Sequence, residues 1–403
     1  MSAPSKADLQ LAALSCGVIG LYDVSCVVTA ISGIATLGYK LSQLFLDFLV
    51  FHAAAYAFFE GKLAAVYDTA AITHLQNTLY TSRLPHELGF RPFLYPPLWL
   101  LDVLPFGLLP VGLAIAAFLV LTGGIFAVSL RALDLRWEAV LAILVAPASV
   151  WVVIAGQNSF LSAALLYGGM ALLDRRPAFA GLLLGLLAYK PQIWALIPLA
   201  LLAARAWRPL VALTATVALL SLATLLLFGS DSWLAFFSAA RGASTGAAAL
   251  EMYERVRDHM TTLYAAGKML GLSDGPAMAL QVGGAALAVC AVTWAFARYR
   301  LSSELTAILV AGMFLISPYT LNYDMLLLMP AAAMLFLHPP AQGYQPGERI
   351  IYLALWLAPT SCIYLNYAGL PITPLIILLF GATAWARLRN QRKVALPATA
   401  TAG

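Results

Sequence analysis

Apolar runs of roughly 20 residues, the length a helix needs to cross a bilayer, recur from one end of this chain to the other. In lipid such a segment must satisfy its own backbone, which leaves only helices or a closed barrel. Barrel strands alternate polar and apolar side chains, and these runs do not. With 62% of its 403 residues hydrophobic and 10% charged, the chain has more apolar surface than a soluble core hides. The expected fold class is an all-α integral membrane protein.

About twelve spans are expected, over 11–37, 107–130, 137–154, 159–173, 177–189, 191–204, 209–228, 276–297, 302–316, 321–337, 350–365 and 372–386. Several are short and bounded by Pro, as tilted or broken helices are. Lys6 stands before the first run like the start of a signal peptide, but Asp8 follows it and no small-residue cleavage site precedes Tyr39, so a retained first helix is expected. Alternating topology puts fourteen of the 23 basic residues on one face, which makes that face, both termini and a tail over 387–403 cytoplasmic. Most of the outward basic residues fall in two long segments, 39–106 and 229–275, too long for idle connectors. The first interleaves Phe48, Phe51, Tyr56, Phe58, Phe59, Tyr67 and Tyr80 with charges, as helices lying in the membrane interface do. With no internal repeat, residues 1–403 read as a single transmembrane domain.

Other classes are excluded by what the charges and motifs do. The net charge of +5 is spread over helix ends, so no nucleic-acid partner is expected. Cys16, Cys26, Cys290 and Cys362 lie inside apolar runs without metal-ligand spacing, and read as packing residues. The chain has no GxxxxGK[ST], HExxH or DxD motif, nor a GxGxxG after a strand, which removes support for an ATP or nucleotide-sugar site. An enzyme of this build takes a lipid-borne substrate.

The residues able to do chemistry gather on the outward side. Asp47, flanked by apolar and aromatic neighbours, is expected to hold its proton more tightly than usual unless partnered, which suits a general base; an interfacial helix cap is the alternative. Lys190 and Gln192, at a break between apolar runs, suit a phosphate at the lipid boundary, and a snorkelling lysine is the competing reading. Gln157 and Asn158 follow Gly156 in an outward turn, where their amides bond sugar hydroxyls or simply form the turn. Arg255, Arg257 and His259 stand in a run of alternating charge that reads as a solvated helix face or as a set of cations for a phosphate leaving group. Tyr319, Tyr323 and Asp324 occupy a further outward break, where an acid is costly unless paired or wet; Asp23 and Asp102 raise the same question.

Taken in order, Asp47-Phe48, Phe93-Leu94-Tyr95-Pro96-Pro97, Gly156-Gln157-Asn158, Arg176-Pro177 with Ala180-Gly181, Lys190-Pro191-Gln192, Ser317-Pro318-Tyr319 and Tyr323-Asp324 resemble glycosyltransferase family 87. The resemblance covers roughly 47–324. It implies a GT-C fold, a polyprenyl-phosphate sugar as donor and mannose as the sugar. It also implies inverting attack by an acceptor hydroxyl on a glycolipid or envelope glycan, with Asp47 as general base. It places the enzyme in a bacterial inner membrane with a periplasmic active site. Since Asp47 has no adjacent acidic partner, neither a metal nor another cofactor is expected. The alternative from another class, a transporter or lipid flippase, calls for ionisable residues near the bilayer midplane on paired broken helices, whereas here they collect at one face.

Overall fold

The structure, a computed structural model, describes residues 44–81, 87–89, 91–243 and 246–395. The expected first helix and Asp23 lie outside the described residues. Within them the regular structure is helical, with one isolated antiparallel bridge between Met260 and Leu321. Two compact units result, one from 44–191 and 208–257, the other from 192–207 and 258–395.

The first unit begins with α1 (Leu46–Phe59), α2 (Thr69–Tyr80) and α3 (Pro97–Gly107). These helices fall in the long segment expected to hold interfacial helices. Phe48 through Ala55 are all buried in α1, which packs on α2, α3 and α4 (Val111–Ala132). An aromatic cluster joins them: Phe48 lies 5.1 Å from Phe118, Phe51 5.2 Å from Trp99, and Trp99 4.5 Å from Tyr189, measured between ring centroids. Then come α5 (Trp137–Leu144), α6 (Pro147–Ala155), α7 (Ser159–Leu172) and α8 (Pro177–Leu186). Small residues let the last of these come close to its neighbours: a Cβ at Gly181 would fall 2.2 Å from the Pro209 carbonyl oxygen, at the start of a later helix.

The chain continues through α9 (Pro191–Trp194), α10 (Leu196–Ala203), α11 (Trp207–Ala243) and α12 (Gly246–Val256). Gly229, at φ 76° and ψ 165°, breaks α11 internally. In the second unit, α13 (Leu263–Met269), α14 (Asp274–Arg298), α15 (Ser303–Ile316), α16 (Met329–Leu337), α17 (Glu348–Tyr367) and α18 (Thr373–Ala395) follow. Glu304 through Leu315 are all buried in α15, which packs on α10, α14, α16 and α18. A helix apolar on every side belongs in the middle of such a bundle. Glu348 and Arg387, both almost fully buried, pair between α17 and α18; Arg387 also donates to the carbonyls of Leu335 and His338.

Among the described residues four helices are long and apolar enough to cross a membrane: α4, Trp207–Gly242 of α11, α14 and α17. A fifth arises if α5 and α6, meeting at 48°, are one bent span. On length and composition the described helices do not confirm the expected count of twelve. Several of the other expected spans, among them α7, α8 and α15, are apolar helices of 10–17 residues. At 1.5 Å per residue, a 14-residue helix covers about 21 Å of a core about 30 Å thick.

A candidate active site around Asp47

Two short stretches of backbone bring the acid into place. Phe45 adopts the left-handed conformation (φ 62°) and donates its N–H to the Ile154 carbonyl at 2.7 Å, which ties the start of α1 to the end of α6. Gly156 ends α6 at φ 70°, and a Cβ there would lie 2.7 Å from Phe48 Cβ and 3.2 Å from Phe45 Cα. Only glycine combines that backbone angle with that approach. As a result Asp47, in the first turn of α1, faces Gln157.

Gln157 donates from Nε2 to Asp47 Oδ2 at 2.9 Å. Its Oε1 accepts from the Tyr95 hydroxyl at 3.3 Å and from the Asn158 N–H at 3.2 Å, which fixes the amide's orientation. Asn158 in turn accepts on Oδ1 from Lys190 Nζ at 3.1 Å. Gln157, Asn158 and Lys190 are 4%, 0% and 2% exposed. Lys190 therefore does not snorkel; its side chain is buried. Because Oδ1 faces Lys190, Asn158 turns Nδ2 away, buried and without a hydrogen-bond partner among the described residues.

The other oxygen of Asp47 has a partner that sequence reasoning did not assign to the site. Arg91 donates from Nη1 to Asp47 Oδ1 at 3.2 Å. The proton affinity expected for Asp47 was conditional on its lacking a partner, and Arg91 is one. The available signal was that an acid among apolar residues calls for a base, and the same outward segment carries Arg91. Tyr95, present in the quoted motif without a role, is the second addition. Its carbonyl accepts from the Tyr67 hydroxyl at 3.1 Å, and burial pushes the Tyr67 phenol well above its ordinary range, so Tyr67 stays a neutral donor.

The remaining candidates lie elsewhere. Arg255 and Arg257 are exposed, and Arg257 pairs with Glu254 at 3.5 Å, as a solvated face would. Asp102 is exposed on α3. Gln192 is half-buried in the first turn of α9. In the second unit, His259 Nδ1 lies 3.3 Å from Asn322 Oδ1, and Asn322 Nδ2 donates to the Pro359 carbonyl. Asn366 Nδ2 donates to the carbonyls of Asp258 and Met260, which holds the His259 turn from both sides. Asp324 is buried and accepts the Leu321 N–H at 3.2 Å, capping the 3-10 helix Asn322–Leu328; Tyr319 and Tyr323 are half-buried beside it.

Helices fit to cross a bilayer, with a buried polar array that ends in a partly exposed carboxylate, define a membrane protein with an enzyme-like site. The family model of glycosyltransferase family 87 matches residues 93–318, more than half of the chain, and the chain belongs to that family. It is thus a membrane glycosyltransferase. The matched region contains Tyr95, Gln157, Asn158, Lys190 and His259, while Asp47 and Arg91 precede it. No curated protein and no solved structure matches the chain.

Proposed function

We propose that this protein is a GT-C hexosyltransferase that moves mannose from a polyprenyl-phosphate donor to an acceptor hydroxyl, with inversion. The acceptor is a glycolipid or envelope glycan at the periplasmic face of a bacterial inner membrane, and both termini are cytoplasmic. The shorter apolar helices complete a polytopic fold of about twelve spans. The observation that carries the mechanism is the pair of contacts on Asp47. A carboxylate offers about four lone-pair sites. Arg91 and Gln157 each take one, and the side chain remains 30% exposed. An acceptor hydroxyl can therefore reach it, and Asp47 takes the proton as that oxygen attacks the anomeric carbon.

The lipid phosphate departs as an anion and needs positive charge or donors rather than a strong acid. Lys190, His259, Arg255 and Arg257 are the cations proposed for it. The unpartnered Nδ2 of Asn158 is a donor for a substrate oxygen, with Gln157, Gln192, Tyr319, Tyr323 and Asp324 as further substrate-binding residues. No metal is assigned a role, because the acid stands without the adjacent carboxylate of a DxD pair.

The test uses purified protein with radiolabelled polyprenyl-phosphate-mannose and isolated membranes as acceptor source. Asp47→Ala and Asp47→Asn are expected to lose transfer by about 10²–10⁴-fold, the usual contribution of a positioned base. Transfer at the wild-type rate by both variants would remove Asp47 from that role.

A further inference from the structure

The contact between Arg91 and Asp47 is held by more than the two side chains. Asn77, on α2, grips Leu88 twice: its Nδ2 donates to the Leu88 carbonyl at 3.0 Å and its Oδ1 accepts the Leu88 N–H at 2.7 Å. Arg91 is gripped the same way, its N–H donating to Thr73 Oγ1 at 3.2 Å and its carbonyl accepting from Gln76 Nε2 at 3.2 Å. The chain around Arg91 is thus a strap sewn onto one face of α2. That helix is fixed to α1 in turn, with His52 Nδ1 2.8 Å from the Tyr80 hydroxyl and the same hydroxyl 3.4 Å from the Leu49 carbonyl. Strap and helix pair together hold the Arg91 backbone where its guanidinium reaches Asp47.

Taking Asp47 as the general base, as proposed above, we infer that Arg91 is its positioning residue: with Gln157 it fixes the carboxylate's orientation for attack. The alternative use, as the cation for the donor phosphate, conflicts with inverting geometry. In-line displacement places the base and the leaving group on opposite faces of the sugar ring. A guanidinium 3.2 Å from the base's own oxygen stands on the base's side.

Other charges do not account for the effect. The ionisable groups on or beside the elements packed against α1 are Asp68, His74 and Tyr80 around α2, Asp102 on α3, Arg131 on α4, and Lys62 and Tyr67 flanking the turn Leu63–Val66, with Glu60 capping α1; α6 has none. His52 and Tyr56 lie on α1 itself, and Tyr95 is bonded to Gln157. Among the described residues Arg91 alone forms an ion pair with Asp47.

The experiment measures kcat/KM for transfer from polyprenyl-phosphate-mannose against pH for wild type, Arg91→Gln, Arg91→Lys and Asp47→Asn. A carboxylate that loses a neighbouring guanidinium takes up its proton more readily, and the base works only when deprotonated, so the acidic limb for Arg91→Gln moves to higher pH. The plateau is expected to fall about tenfold with the donor KM unchanged, and Arg91→Lys to keep the wild-type limb. An unmoved limb in Arg91→Gln, or a raised donor KM with kcat intact, overturns the inference. If Arg91→Gln does not yield folded protein, Arg91→Lys carries the test: a displaced limb or a raised donor KM overturns the inference, and the wild-type limb with an unchanged donor KM supports it. Activity surviving in Asp47→Asn would instead overturn the base assignment itself, so the two failures are told apart.

Discussion

Gly156 is the position where a single methyl group should separate the acid from its amide partner. An alanine there costs about 1–2 kcal/mol for holding an L residue in the left-handed region. The added Cβ would sit 2.7 Å from Phe48 Cβ and 3.2 Å from Phe45 Cα, against roughly 3.5–4.0 Å for a relaxed carbon contact. Both neighbours belong to the first turn of α1 or to the residue leading into it, so neither can swing aside as a long side chain would. The segment has to retreat by roughly 1 Å, adding about 1–3 kcal/mol of overpacking. Asp47 lies between those two phenylalanines and moves with them. Its 2.9 Å bond to Gln157 then stretches past hydrogen-bonding range. A displacement of that size at a reacting group costs about 10²-fold in rate. Gly156→Ala should therefore transfer sugar about 100-fold more slowly and unfold at lower temperature. Gly61→Ala is the control: Gly61 also has a positive φ, of 68°, but a Cβ there meets nothing within 4 Å. It should pay only the conformational cost and keep its rate. Wild-type transfer by Gly156→Ala, or an equal loss in Gly61→Ala, would refute the reasoning.

Two further outcomes follow from the buried polar groups. Lys190→Met leaves Asn158 Oδ1 without the donor Lys190 supplies, and should cost about 1–3 kcal/mol in thermal or denaturant unfolding in detergent, while a variant as stable as wild type would contradict it. Arg387→Met strands the buried Glu348 carboxylate and should cost about 3–5 kcal/mol, whereas Glu348→Gln combined with Arg387→Met should cost less than the single change; additive losses would show that the pair is not coupled.

The long apolar helices were legible because periodicity and length are local properties. The expected spans 107–130, 276–297 and 350–365 correspond to Val111–Ala132, Asp274–Arg298 and Glu348–Tyr367. Breaks were less legible. Pro147 interrupts what reads as one span, since it has no N–H for the preceding turn and starts α6 afresh at 48° to α5. At Gly229 the apolar run stops, but the helix resumes beyond the glycine to Ala243, with Ser232 and Phe236 buried one turn apart. In the site, Asp47, Gln157, Asn158 and Lys190 stood out as polar residues in apolar surroundings. Arg91 did not, because its place is set by a strap 44 residues along the chain from Asp47. The clamp that holds the strap, Asn77 on Leu88, follows no periodic pattern.

The order of groups in the array has a consequence for charge. Lys190 does not pair with Asp47 directly; two neutral amides, consecutive in the chain, stand between them. The lysine's hydrogen bond ends on Asn158 Oδ1 and the link from Asn158 to Gln157 runs through the backbone N–H, so Asp47 keeps its free lone pairs. With Asp47 ionised, the five side chains Arg91, Asp47, Gln157, Asn158 and Lys190 carry one surplus positive charge. On the proposed mechanism, proton uptake by Asp47 raises that surplus to two at the moment when the departing phosphate gains its own negative charge. The field of the array therefore strengthens in the transition state rather than in the ground state, which is the condition under which an interaction raises kcat instead of only lowering KM.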